Sequence, residues 1–193
     1  MPTPFLLNGI LASQISGHLY AGPAGAFDAL GSVTVGSGGQ SSITFSAIPQ
    51  TYTHLQIRGT VLTSSSGTVI RTQVGGGIVD TGSNYARHVL GGSGSGSGFS
   101  SYQTNPSINL FGDSVGTSTS IPSVFICDIL DYTSVNKNKT FRALSGSDQN
   151  GSGEVELVSG AWFNYSSAIN VINIFPAAGN FSQYSNFSLY GIR

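Results

Sequence analysis

Ala29-Leu30-Gly31-Ser32-Val33-Thr34-Val35-Gly36-Ser37-Gly38-Gly39-Gln40-Ser41-Ser42-Ile43-Thr44-Phe45-Ser46-Ala47-Ile48-Pro49-Gln50-Thr51-Tyr52-Thr53-His54-Leu55-Gln56-Ile57-Arg58 decides the fold class. Ile43, Phe45 and Ala47 alternate with Ser42, Thr44 and Ser46, and Leu55 and Ile57 alternate with His54, Gln56 and Arg58. A period of two places one set on each face of an extended chain, the signature of half-buried strands. The glycine-rich turn at Gly36–Gly39 and the break at Pro49 separate them.

The same period continues toward the C-terminus. Val155 and Leu157 alternate with Glu154 and Glu156, so the apolar pair is expected in the core and the glutamates in solvent. Ile169, Val171 and Phe175 are expected to face opposite to Asn170 and Ile172, and Phe187 and Leu189 alternate with Ser188 and Tyr190. Val124 to Tyr132 is apolar on both faces, as in a central strand or one covered on its outer side. No segment from 32 to 193 shows sustained helical periodicity. These patterns predict an all-β chain: a single antiparallel β-sandwich of jelly-roll type over residues 30–193, with an N-terminal arm at 1–29. Gly91–Gly98 is read as a flexible glycine-serine loop within the sandwich.

Only 8% of the 193 residues are charged, against a usual ~25%. Net charge is −1, with no cluster of lysine or arginine, which argues against nucleic acid as a partner. A surface poor in charge instead suits contact with other protein copies, because few ions lose their hydration. No apolar run approaches the ~20 residues of a membrane helix, and no basic leader precedes Phe5, so a membrane role is not expected. Cys127, the single cysteine, lies in the run Val124-Phe125-Ile126-Cys127 and reads as a buried thiol.

Reaction chemistry is sparse. His18, His54 and His88 are isolated from one another and from any carboxylate at ligand spacing, so no metal is expected. Asp148, Asn150 and Ser152 alternate as in a calcium loop, but Ser159 stands where the bidentate glutamate belongs, and a polar hairpin fits better. Glu154 and Glu156 stand on one strand face about 7 Å apart, tolerable for two catalytic acids, yet they read as the solvent side of the strand. Asp128 and Asp131 interrupt the most apolar strand and need hydrogen-bond partners, which the Tyr132-Thr133-Ser134 turn can supply. Tyr102, Trp162, Phe163 and Tyr165 suit a sugar-stacking platform, and core filling explains Trp162 equally well. No enzyme activity and no cofactor are expected.

Several motifs resemble those of small tailed-bacteriophage virion structural proteins. The segment Ile48-Pro49-Gln50-Thr51-Tyr52-Thr53-His54-Leu55-Gln56-Ile57-Arg58 is similar to a recurring signature of these proteins. Gly25-Ala26-Phe27-Asp28 resembles the lead-in to their first strand, and Asn84-Tyr85 with His88-Val89-Leu90-Gly91 their central strand. Asp131-Tyr132-Thr133-Ser134 with Asn136-Lys137, and the C-terminal run from Gly160-Ala161-Trp162 through Ser188-Leu189-Tyr190-Gly191-Ile192, complete the likeness. The resemblance covers most of residues 22–193 and implies a virion protein of decoration or tail-fibre type, without catalytic residues.

On that basis the expected role is a capsid decoration or cement protein on the exterior of the virion, made in the host cytoplasm. Its expected partners are the major capsid protein and copies of itself in a homotrimer. Phe5, Leu6, Leu7, Ile10 and Leu11 of the arm are the expected capsid or subunit contacts. The alternative is a tail-fibre tip or other adhesin that binds a host glycan through the 91–104 region and Tyr102. A third class, a secreted carbohydrate-active enzyme or its binding module, lacks a leader and a carboxylate site.

Overall fold

The computed structural model describes residues 25–94, 96–118, 120–148 and 153–193. The arm residues Phe5, Leu6, Leu7, Ile10 and Leu11, and most of the Asp148–Gly153 turn, lie outside the described residues. Among the described residues there are twelve strands and no helix. They are β1 (Phe27–Thr34), β2 (Ile43–Phe45), β3 (His54–Val61), β4 (Thr68–Gly75), β5 (Tyr85–Ser93) and β6 (Phe99–Asn105), followed by β7 (Ile108–Val115), β8 (Ser123–Leu130), β9 (Lys139–Asp148), β10 (Gly153–Trp162), β11 (Val171–Pro176) and β12 (Asn186–Ile192). β1 thus starts inside the segment assigned to the arm.

Two antiparallel sheets pack face to face. The larger has eight strands in the order β1-β12-β3-β8-β9-β10-β5-β6, and the smaller has four in the order β2-β11-β4-β7. The arrangement is a β-sandwich whose strand order is compatible with a jelly roll. Leu55, Ile57, Cys127, Ile129, Phe141 and Val158 face inward from the large sheet and meet Ile43, Ile70, Val74, Ile108, Ile172 and Ile174. Apolar area removed from water at this interface is the main favourable term in folding.

Aromatic hydroxyls and one indole tie the sheet ends together. Tyr85 is fully buried, and its hydroxyl accepts from the Val74 N–H at 3.0 Å and donates to the Asp80 carbonyl at 2.8 Å. The Tyr132 hydroxyl donates to the Pro49 carbonyl. Trp162 is buried in the core, and its Nε1 donates to Asp80 Oδ2 at 2.8 Å. The Lys139 ammonium lies 5.5 Å from the Trp162 ring and donates to the carbonyls of Lys137 and Asn164. Burial lowers its pKa.

The structure corrects three sequence expectations. β10 is turned over: Val155 and Leu157 are 54% and 53% exposed, while Glu156 is only 5% exposed. Trp162, Gly160 and Val158 share the phase of Glu156, and seating the indole in the core sends both glutamates inward. In β11 the core-facing residues are Ile172 and Ile174, and Phe175 is half-buried, because Ile172 and Ile174 pair with Val74 and Thr72 of β4, both buried between the sheets. The glycine-serine run is also shorter as a loop than expected. Gly91, Gly92 and Ser93 belong to β5, and Gly91 pairs with Phe99 of β6.

Candidate functional site

β8, β9, β10 and β5 lie side by side in the middle of the large sheet, and their outward residues form in-register rows. Leu90 pairs with Leu157, Leu157 with Leu144, and Leu144 with Ile126. A second row, two residues along each strand, holds Gly92, Val155, Gly146 and Val124. Leu90, Leu144 and Val124 are 60%, 52% and 51% exposed. Neither row contains a charged residue. Isolated exposed aliphatics are ordinary on protein surfaces; these are contiguous across four strands.

A shallow groove of about 560 Å³ crosses β12, β3, β8 and β9, lined by Gly59, Thr60, Val124, Ile126, Leu144 and Ser188, with Gly146 at its β9 edge. Arg58 and Tyr190 close one end. The Arg58 guanidinium stands 4.8 Å from the Tyr190 ring and 5.4 Å from the Phe27 ring, and its Nε donates to Gln56 Oε1 at 2.8 Å. Arg58 pairs with Ile126, so this charge, set near two aromatic rings, ends the aliphatic row on β3. Flanking the strip are Arg142 and Asp148, both exposed on β9.

The inward glutamates make a different site. Glu154 and Glu156 line a cavity of about 320 Å³ between β10, β5, β6 and β7, with Arg87, Gln103, Ser101 and Asn109. Arg87 donates to Gln103 Oε1 through Nε at 3.2 Å and Nη2 at 3.1 Å. A Cβ on Gly112 of β7 would lie 2.3 Å from Glu156 Oε1 and 2.7 Å from Glu154 Oε1, so glycine is what lets β7 pass over the two carboxyls. Burial pushes the Glu156 carboxyl up to about 7, helped by its hydrogen bond to Glu154 and repulsion from that carboxylate, with Arg87 and the Gly112 N–H opposing. The two carboxyls are hydrogen-bonded to each other, closer than the ~5 Å or more of a glycosidase pair.

Of the other singled-out residues, His54 Nδ1 accepts from the Asp131 N–H at 3.0 Å, and Lys137 pairs with Asp131 at 2.5 Å. Asp128 Oδ1 accepts from Gln56 Nε2 at 2.7 Å. These bonds use both aspartates in the sheet and its turn. His88 stacks with Tyr102 at 4.9 Å between ring centroids on β5 and β6. Phe163 and Tyr165 are exposed at the end of β10, whereas Trp162 is buried and plays no part in a surface platform. Cys127 is fully buried, and burial raises its pKa. His18 lies outside the described residues. Among the described residues no group of three or more His, Cys, Asp or Glu could hold a metal ion.

The sequence reading missed the outward strip. The signal was present in the shared phase of Trp162, Val158 and Glu156, which leaves Val155 and Leu157 on the other face. Comparison with protein-family models, with curated proteins and with solved structures gave no match to this chain.

Proposed function

We propose that the chain is a structural protein of a bacteriophage virion, without catalytic activity, that decorates the exterior of the assembled capsid as a symmetric oligomer. The observation that carries this reading is the uncharged aliphatic strip across β8, β9, β10 and β5. It is a broad, nearly flat surface suited to another protein face, since small-molecule sites are concave and enclose most of their ligand. The resemblance of residues 22–193 to small virion proteins supplies the setting, and the major capsid protein is the partner it implies. The low charge supports the same role, because little ionic hydration is lost when subunits pack.

The test is the number of copies per virion, measured by quantitative mass spectrometry against the major capsid protein. Hundreds of copies support decoration of the shell. Absence from purified particles overturns the virion reading. Exposed Tyr102 stacked on His88 favours a second reading, a host-binding adhesin on the tail, and a few to a few dozen copies would move the assignment there.

A further inference from the structure

The two outward rows differ in size in a regular way. Leu90, Leu157, Leu144 and Ile126 form the large row; Gly92, Val155, Gly146 and Val124 form the small one. Between them runs a row whose side chains point inward or are absent: Gly91, Glu156, Ser145, Phe125 and Gly59, paired in that order across β5, β10, β9, β8 and β3. A two-fold axis laid on the sheet surface along this middle row turns a second copy over and exchanges the large and small rows.

The large row of one copy then lies on the small row of the other. Leu144 meets the hollow left by the missing side chain of the partner's Gly146, and Leu90 that of the partner's Gly92. Leu157 lies on the partner's Val155, and Ile126 on the partner's Val124. Arg142 and Asp148 stand three residues to either side of Ser145 on β9, so the same axis sets Arg142 opposite the partner's Asp148. Knobs meet hollows under one operation and Arg142, beside Asp128 in its own sheet, gains a second opposite charge across the interface, as a self-complementary contact requires.

The area is sufficient. The whole outer face, eight strands ~4.8 Å apart and about seven residues long, offers roughly 900 Å², against the ~800 Å² each partner contributes to a standard stable interface, and the matched rows occupy four of its strands. Sheets pack in this way at ~10 Å with their strands within about 30° of alignment.

We propose that the outer face of the large sheet binds the same face of a second copy, forming a two-fold dimer with Leu144 seated over the partner's Gly146. The inference rests on reading this face as an assembly surface, and its two-fold symmetry departs from the trimer that the resemblance implies.

The test is the solution mass of the full chain by size-exclusion chromatography with light scattering, where a dimer has twice the 19.9 kDa of one copy. Leu144→Asp is expected to give a folded monomer. Arg142→Asp and Asp148→Arg are each expected to raise the dimer dissociation constant at least tenfold, and the double exchange to recover most of the loss. A side chain needed only within its own sheet would show no such recovery. A wild-type trimer overturns the proposal. So does a wild-type monomer, including one whose outer face binds a hydrophobic dye only after residues 1–20 are removed, which would assign the strip to the N-terminal segment. Dimer mass unchanged in Leu144→Asp also overturns it. Copy number on the virion is read independently, so the dimer can fail while the decoration reading stands.

Discussion

Leu144 of β9 and Leu157 of β10 are direct cross-strand partners that both point away from the core, while Ser145 and Glu156, the next pair along, point into it. The two faces of this hairpin therefore answer to different selections. The inward face fixes the sandwich. The outward face carries aliphatic side chains that are about half exposed in one copy and add little to its folding.

That separation predicts a contrast in stability. Leu157→Thr removes an exposed aliphatic and puts a β-branched, strand-favouring residue in its place, so unfolding of the single chain in urea should shift by less than about 0.5 kcal/mol. Phe141→Ala, on the inner face of β9 and fully buried, should cost about 3–5 kcal/mol. Both are read from urea midpoints at a protein concentration low enough to dissociate any oligomer. Equal losses would show that the strip serves the fold.

Gly112 makes the second prediction. With a Cβ it would press on both buried carboxyls, and the contacted atoms belong to a crowded polar cavity. Gly112→Ala should destabilise the protein by about 1–3 kcal/mol. Gly38→Ala, at an exposed turn glycine with open space around its Cβ, is the matched control and should be near neutral. A thermal melt of the two variants side by side decides it.

How far these features were legible in the sequence depended on what set the phase of each strand. Leu55, Ile57, Ile43 and Phe45 were placed correctly because every apolar residue of β2 and β3 shares one phase, and Phe187 and Leu189 because serine separates them and the opposite phase of β12 opens on Asn186 and Ser188. β10 carries apolar residues in both phases, and alternation alone does not say which face is buried. The arbiter is Trp162, whose volume belongs in the core, six residues from Glu156 and so on the same face. The row of Leu90, Leu157, Leu144 and Ile126 was not legible at all, since it exists only once strands distant in sequence are brought into register. The same holds for Gly112, whose meaning comes from the glutamates of another strand.

The Glu154–Glu156 pair predicts how stability changes with pH. Glu156 is held near 7 in the folded chain, above its ordinary 4.5, so the folded state binds the proton more tightly than the unfolded one. The contribution is fully present below about 4.5 and is lost as pH rises through 7. The loss should amount to roughly 1–3 kcal/mol, shared by the pair as a unit. Urea midpoints at pH 5 and pH 8.5 measure it, and Glu156→Gln should flatten the dependence by keeping the site neutral. A wild-type protein as stable at pH 8.5 as at pH 5 would refute the raised Glu156 carboxyl.

Trp162 and Asp80 give a prediction that can be followed optically, because Trp162 is the only tryptophan in the chain. Burial works to raise the Asp80 carboxyl, but hydrogen bonds from the Trp162 indole, the Asn84 amide and the Gly82 N–H outweigh it and hold its pKa below the ordinary 3.8. A depressed folded pKa means that this stabilisation is present above the unfolded value and is lost as pH falls through the folded one. Acidification should therefore weaken the link between the β4–β5 connection and the end of β10 where the two residues meet. Asp80→Ala leaves the buried indole N–H without its acceptor and should cost about 1–3 kcal/mol, with the tryptophan emission shifting before global unfolding. Asp80→Asn keeps an acceptor oxygen in place and should cost less. If the two variants unfold at the same urea concentration as wild type, the bond contributes nothing to holding β10 in its phase, and packing of the Trp162 ring alone sets the register that turns Val155 and Leu157 outward.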